Sequence, residues 1–135
     1  MNIKVELEIN KGRIADLLCS AVERAYFLKG CIELHSYREP SQGISKEELA
    51  TVKGWEDGKY CYIYPLFGDG YLRFDDIYED KRKKYYLNYK NIEKGLKIFA
   101  EKHKYQFGLW LNENDDAVTA SVFLQCCLFG EEKYG

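Results

Sequence analysis

Residues 1–9, MNIKVELEI, set Ile3, Val5, Leu7 and Ile9 against Lys4, Glu6 and Glu8. Such alternation marks a half-buried β-strand, because successive side chains leave a strand on opposite faces. The period then changes. After Asn10, a suitable N-cap, Ile14, Leu17, Leu18, Ala21 and Val22 fall on one helical face that reaches Ala25, and the helix is expected to stop before Gly30. Alternation returns in CIELHSY (31–37), with Ile32 and Leu34 on one face and His35 on the Cys31/Glu33 face.

From 38 to 58 the chain reads as a polar insertion punctuated by Pro40, Gly43, Gly54 and Gly58. Within it Ser45 and Glu48 form an S-x-x-E capping box, which predicts a short helix over about 46–53. KYCYIYPL (59–66) reads as a strand with Tyr60, Tyr62 and Tyr64 on one face and Cys61 and Ile63 on the other. FGDG supplies a turn, YLRFDDI (71–77) returns antiparallel with Leu72 and Phe74 inward, and YYLNY (85–89) completes a meander. Asn88 then caps a helix carrying Ile92, Leu96, Ile98 and Phe99 inward. Gly95 inside it costs on the order of 1 kcal/mol against Ala unless a neighbour packs closely there. His103 and Lys104 suit the negative C-terminal end of that helix, and YQFGLWL (105–111) is a short connector bringing Tyr105, Phe107 and Trp110 to the core. The last helix is expected over about 116–129, with Val118, Val122, Cys126 and Phe129 inward and Thr119 and Gln125 outward.

These elements predict a single α+β domain over residues 1–135. Its mostly antiparallel sheet of about four or five strands is packed on one face by the N-terminal helix and a C-terminal group of helices. At 135 residues, with 46% hydrophobic and 16% aromatic residues, the chain can bury a real core. The balance of 20 basic and 22 acidic side chains leaves no global field to draw nucleic acid or an anionic membrane. No run approaches the roughly 20 apolar residues of a membrane span, and the N-terminus lacks the apolar stretch of a signal peptide, so a cytoplasmic location is expected. The 5 scattered cysteines show no CxxC spacing and read as small buried hydrophobes in a reducing compartment. Length and composition leave the oligomeric state open.

Candidate chemistry is sparse. Glu113, Asp115 and Asp116, with Asn112 and Asn114, offer oxygen ligands, but their spacing is not that of a calcium loop. Capping of the last helix by Asn114 or Asp115 is the simpler account, and an acidic partner-contact patch involving Glu113 and Asp116 is the other. DDIYED (75–80), followed by Lys81, Arg82, Lys83 and Lys84, reads as a solvated hairpin tip or a basic finger. No phosphate loop is present, and neither His35 nor His103 marks a catalytic group, so no catalytic residue, metal or cofactor is expected. Binding residues are sought instead among the 12 tyrosines. Tyr60, Tyr62 and Tyr64, with Tyr71 and Tyr85 or Tyr86 alongside, can stack a nucleotide while Arg73 pairs with its phosphate, or can simply be packed. Trp55, in its polar context, is either a binding anchor or a lid over the sheet edge.

Two segments carry a resemblance: IADLLCSAVERAYF (14–27) and FGLWLNENDDAVTASVFLQCCLFGEEKYG (107–135). They resemble small uncharacterised proteins encoded by bacterial prophages, plasmids and conjugative elements, whose C-termini follow an END-A-T-A-VFLQ--LFGE--YG pattern. Ser121 stands where Asp is usual, Arg24–Ala25 replaces a Gly pair, and Tyr26–Phe27 stands for Tyr–Trp. The resemblance implies a mobile-element setting. In that setting, a non-catalytic binding module that inhibits a host protein or defence system is the leading expectation, and a nucleotide-sequestering protein is the alternative.

Overall fold

The computed structural model describes residues 1–25, 28–78 and 82–135. Tyr26 and Phe27, and the hairpin-tip residues Glu79, Asp80 and Lys81, lie outside the described residues. The chain forms one α+β domain in the order α1 (Lys11–Glu23), β1 (Ile32–Arg38), α2 (Lys46–Leu49), a 3₁₀ segment (Cys61–Leu66), β2 (Tyr71–Asp76) and β3 (Lys83–Leu87). Helices α3 (Tyr89–Lys102), α4 (Lys104–Leu111) and α5 (Ala117–Phe129) follow. The sheet has three strands in the order β1-β2-β3, antiparallel throughout. The helices pack on one side of it.

Among the described residues two expected strands are absent, which accounts for the smaller sheet. Residues 1–10 form no ladder, and Ile3, Val5 and Leu7 stand in solvent. Their alternation is real, but a strand exists only against a partner edge, and neither β1 nor β3 is reached. KYCYIYPL is the second correction: Cys61–Leu66 is a 3₁₀ helix, with Tyr62, Ile63, Tyr64, Pro65 and Leu66 all buried. Pro65 has no N–H for a ladder, and a run enclosed on every side has no need of alternation.

Local capping chemistry matches expectation closely. Asn10 Oδ1 accepts from Gly12 N at 2.7 Å to start α1, whose buried residues include Ile14, Leu17, Leu18 and Ala21. Ser45 and Glu48 close both halves of the capping box on α2. Asn88 Oδ1 accepts from Asn91 N at 3.0 Å to start α3. The insertion is anchored by fully buried Val52 and by Trp55, whose Nε1 donates to Asp16 Oδ1 at 2.8 Å. Trp55 therefore packs toward α1 and not over a sheet edge.

The middle of the core is α5. Thr119 through Cys127 are all buried, because α1, α3 and the sheet enclose this helix on all sides. Its expected one-sided face is thus corrected: Val118 is exposed, whereas Thr119 and Gln125 are fully buried. Phe99 and Phe107 meet edge-on at 5.7 Å, and Trp110 stacks on Phe123 at 6.5 Å, joining α3, α4 and α5. Tyr105, expected inward, is exposed.

The C-terminal tail completes the core. Gln125 Oε1 accepts from Lys133 N (2.8 Å) and Tyr134 N (2.6 Å), while its Nε2 donates to Tyr134 O at 2.9 Å. The Tyr134 hydroxyl and Lys133 Nζ each donate to Asp76 at 2.8 Å. Asp75 and Asp76, read from sequence as a solvated tip, are buried: Arg73 pairs with Asp75 at 3.2 Å and the tail covers Asp76. A buried carboxylate persists only with such partners.

Candidate functional site

The sheet face turned away from the helices carries exposed Glu33, Arg38, Lys84 and Tyr86 beside half-buried Tyr71 and Arg73. A bulge at His35 shifts the β1 register between Leu34 and Ser36. Pairing then sets Glu33, Asp75 and Lys84 in one row, Ser36, Arg73 and Tyr86 in the next, and Arg38 beside Tyr71 in the third. The intervening rows, such as Leu34–Phe74–Tyr85, point into the core. Without the bulge, Arg38 would lie on the opposite face from Tyr71, since a one-residue slip inverts every later side chain.

Tyr71, at the start of β2, and Tyr86, on the edge strand β3, meet edge-to-face at 5.2 Å. Arg73 lies beside them but is engaged, its Nε donating to Asp75 Oδ1 at 3.2 Å. At the β1 end, Arg38 pairs with Asp69 at 3.6 Å, and Asp69 also accepts from the backbone N–H and hydroxyl of Ser41, both at 2.8 Å. Those hydrogen bonds from Ser41 hold the Asp69 carboxyl below its ordinary value. A shallow recess of about 510 Å³, lined by Gly68, Asp69, Tyr71, Tyr86, Tyr89 and Lys90, opens between this end of the sheet and the start of α3.

Of the tyrosine stripe read from sequence, only Tyr71 and Tyr86 share this face with Arg73. Tyr60 is exposed elsewhere, Tyr62 and Tyr64 are buried in the 3₁₀ segment, and Tyr85 packs inward on Phe129 at 4.8 Å. Trp55 meets Tyr60 and Tyr62 edge-on at 5.4 and 5.8 Å. The Tyr62 hydroxyl donates to Glu23 Oε1 at 3.1 Å, and the Cys19 thiol donates to Glu23 Oε2 at 3.0 Å. Trp55, Tyr60, Tyr62 and Glu23 thus brace the insertion and the 3₁₀ segment against α1.

The acidic stretch is a joint between two helices. Asn114 N donates to Leu109 O (2.8 Å) and Glu113 N to Trp110 O (3.0 Å), the paired bonds that close a helix C-terminus. Glu113 occupies the left-handed position of that closure, with φ of 58°. Asp116 then accepts from Thr119 N at 3.0 Å and from the Thr119 hydroxyl at 3.2 Å, capping α5. The cap is therefore Asp116, one residue beyond Asp115.

Burial holds the thiols of Cys19, Cys61, Cys126 and Cys127 in their protonated form. Cys19 is pushed up to about 12, by burial first and then by its hydrogen bond to Glu23; Cys126 is pushed up to about 11, by burial and the nearby charge of Glu132. Burial also raises Cys61 and Cys127. None of these four is a ready nucleophile at neutral pH. Among the described residues, no group of three or more His, Cys, Asp or Glu side chains is placed to hold a metal ion, and no helix is long and apolar enough to cross a membrane.

Comparison with protein-family models gives no match, and comparisons with curated proteins and with solved structures give none either.

Residues of the open face that sequence reading did not assemble are Arg38, Ser36 and Glu33. Alternation in 31–37 already turns Glu33 away from Leu34, but it would set Ser36 and Arg38 on the Leu34 face, and the bulge that brings them beside Arg73 and Tyr71 depends on pairing with β2.

Proposed function

We propose that the protein is a non-catalytic binding module that engages a protein partner through the open face of its sheet. The observation that carries this reading is the make-up of that open face. Tyr71 and Tyr86 flank Arg73 on it, with Glu33, Arg38, Asp69 and Lys84 of both signs around them. Aromatic rings and arginine at the centre, with charges around them, are the usual composition of a protein-binding patch. In the mobile-element setting that the sequence resemblance implies, the partner would be a host protein, and inhibition of a host defence would follow from occupying its surface.

Tyr86→Ala is the test. It removes a half-exposed ring that supports no core contact, so the melting temperature should stay within the change expected of a surface substitution, about 0.5 kcal/mol. Affinity for the partner should fall at least tenfold. The reading fails if tagged wild type and Tyr86→Ala recover the same protein in the same yield.

Nucleotide binding is the second reading, and the recess between Tyr71, Tyr86 and Lys90 is what favours it. Two features weigh against it: Asp69 brings negative charge into the recess, and Arg73 would have to leave buried Asp75 to meet a phosphate. A nucleotide at a hundred times its dissociation constant should stabilise the fold by about 2.7 kcal/mol, so an unmoved melting temperature across common nucleotides disposes of this reading.

A further inference from the structure

The N-terminal arm carries the pattern of an amphipathic strand without an edge to pair with. Ile3, Val5 and Leu7 are 75%, 74% and 55% exposed, and among the described residues no backbone–backbone hydrogen bond is made by residues 1–9. Three such side chains at every second position form apolar area that a folded chain ordinarily covers.

The order of residues in the arm specifies its own best partner. Centred on Val5, an antiparallel pair of two arms sets Met1 opposite Ile9, Ile3 opposite Leu7 and Val5 opposite Val5. On the other face it sets Lys4 opposite Glu6, twice by symmetry, and Asn2 opposite Glu8. Every apolar residue meets an apolar one and every lysine meets an acid. Shifting the centre to Glu6 puts Glu6 against Glu6, and shifting it to Lys4 puts Lys4 against Lys4. Any centre between two residues mixes the faces, and a parallel pair aligns like with like. Centring on Ile3 pairs only residues 1–5 and gives Lys4 no acid, so the Val5 register alone matches both faces along the whole arm.

We infer that two copies of this chain dimerise by pairing their arms antiparallel about Val5. A bare two-stranded ribbon is marginal in water and needs its apolar face covered. Leu7 and Ile9 already line a recess of about 220 Å³ with Ile14, Leu66, Ile92 and Leu96, and this recess continues the apolar face of the arm. The ribbon closes between the two such recesses that the dimer brings together. The open sheet face, on other elements, plays no part in this contact.

Sedimentation over a concentration series reads the dimer directly. Wild type should show a reversible monomer–dimer equilibrium. Lys4→Glu and Glu6→Lys should each weaken it about tenfold, and the double variant, which restores opposite charges in the same register, should recover the wild-type constant. The arm lies outside the core, so at concentrations where the chain is monomeric all variants should melt with wild type. Under mild oxidation Val5→Cys should give a covalent dimer, while Ile3→Cys should couple to Leu7→Cys and not to itself, since a disulfide spans only about 4.4–6.8 Å between Cα atoms. A wild-type chain that stays monomeric up to about 1 mM, or a double variant as weak as the single ones, overturns the inference.

Discussion

Asp76 shows how much one buried carboxylate can organise. Burial alone would raise its pKa, but the hydrogen bonds from Lys133 and Tyr134 outweigh it and hold the group below its ordinary value. A carboxylate depressed in the folded state stabilises the fold above its unfolded pKa, near 3.9, and loses that contribution as pH falls through the folded value. Asp76→Asn should therefore cost about 2–3 kcal/mol at pH 7 in urea unfolding, and the difference from wild type should shrink below about pH 4. Glu113 gives the opposite sign. It holds φ of 58° at a helix closure where glycine is unstrained, so Glu113→Gly should raise stability by about 0.5–1 kcal/mol in the same assay. A loss on that substitution would mean that the Glu113 side chain contributes more than its backbone costs.

Among the elements, the crossing of α3 and α5 depends on a single missing methyl group. A Cβ added at Gly95 would collide with the Cys127 sulfur and stand 2.6 Å from its Cα and 2.8 Å from its backbone N. The glycine weakens α3 intrinsically but lets the two helices approach. Gly95→Ala should thus lower stability by about 1–3 kcal/mol in thermal denaturation, against the gain of about 1 kcal/mol that helix propensity alone predicts. Cys127→Ala should rescue it only in part, because removing the sulfur leaves the α5 backbone in the way of the new methyl group. The 3₁₀ segment is the counterpart among irregular elements. Its buried run joins α1, the sheet and α3, and the conformation follows from that enclosure and from Pro65.

For the whole molecule, the tail is a long-range tie. Tyr134 and Lys133 reach Asp76 across 58 and 57 residues of sequence, while Gln125 holds the backbone of the same two residues against α5. Ending the chain after Gly130 would take from Asp76 both side-chain donors and the cover of the tail, and from Gln125 its backbone partners. That truncation should cost about 3–5 kcal/mol, seen as a lower urea midpoint, and more than Asp76→Asn costs alone. If the truncated chain unfolds at the wild-type midpoint, the tail is an ornament of the surface and not part of the core.

Much was legible from local chemistry alone. The caps at Asn10, Ser45 and Asn88, the helices they start, and the strands 32–38 and 71–76 rest on short stretches of sequence. What needed the assembled fold was everything decided by a distant partner. The first segment has the pattern of a strand but no edge within its own chain. KYCYIYPL has the same look and is enclosed into a 3₁₀ turn. Thr119 and Gln125 seem outward until α5 is surrounded and the tail returns to Gln125. The candidate face lies between these cases. Tyr71, Arg73 and Tyr86 were visible as an aromatic and basic group, but the bulge at His35 and the burial of Asp75 set which neighbours they have. Periodicity records what one face of a segment prefers, whereas pairing and enclosure depend on residues far along the chain, and only the tertiary structure brings those together.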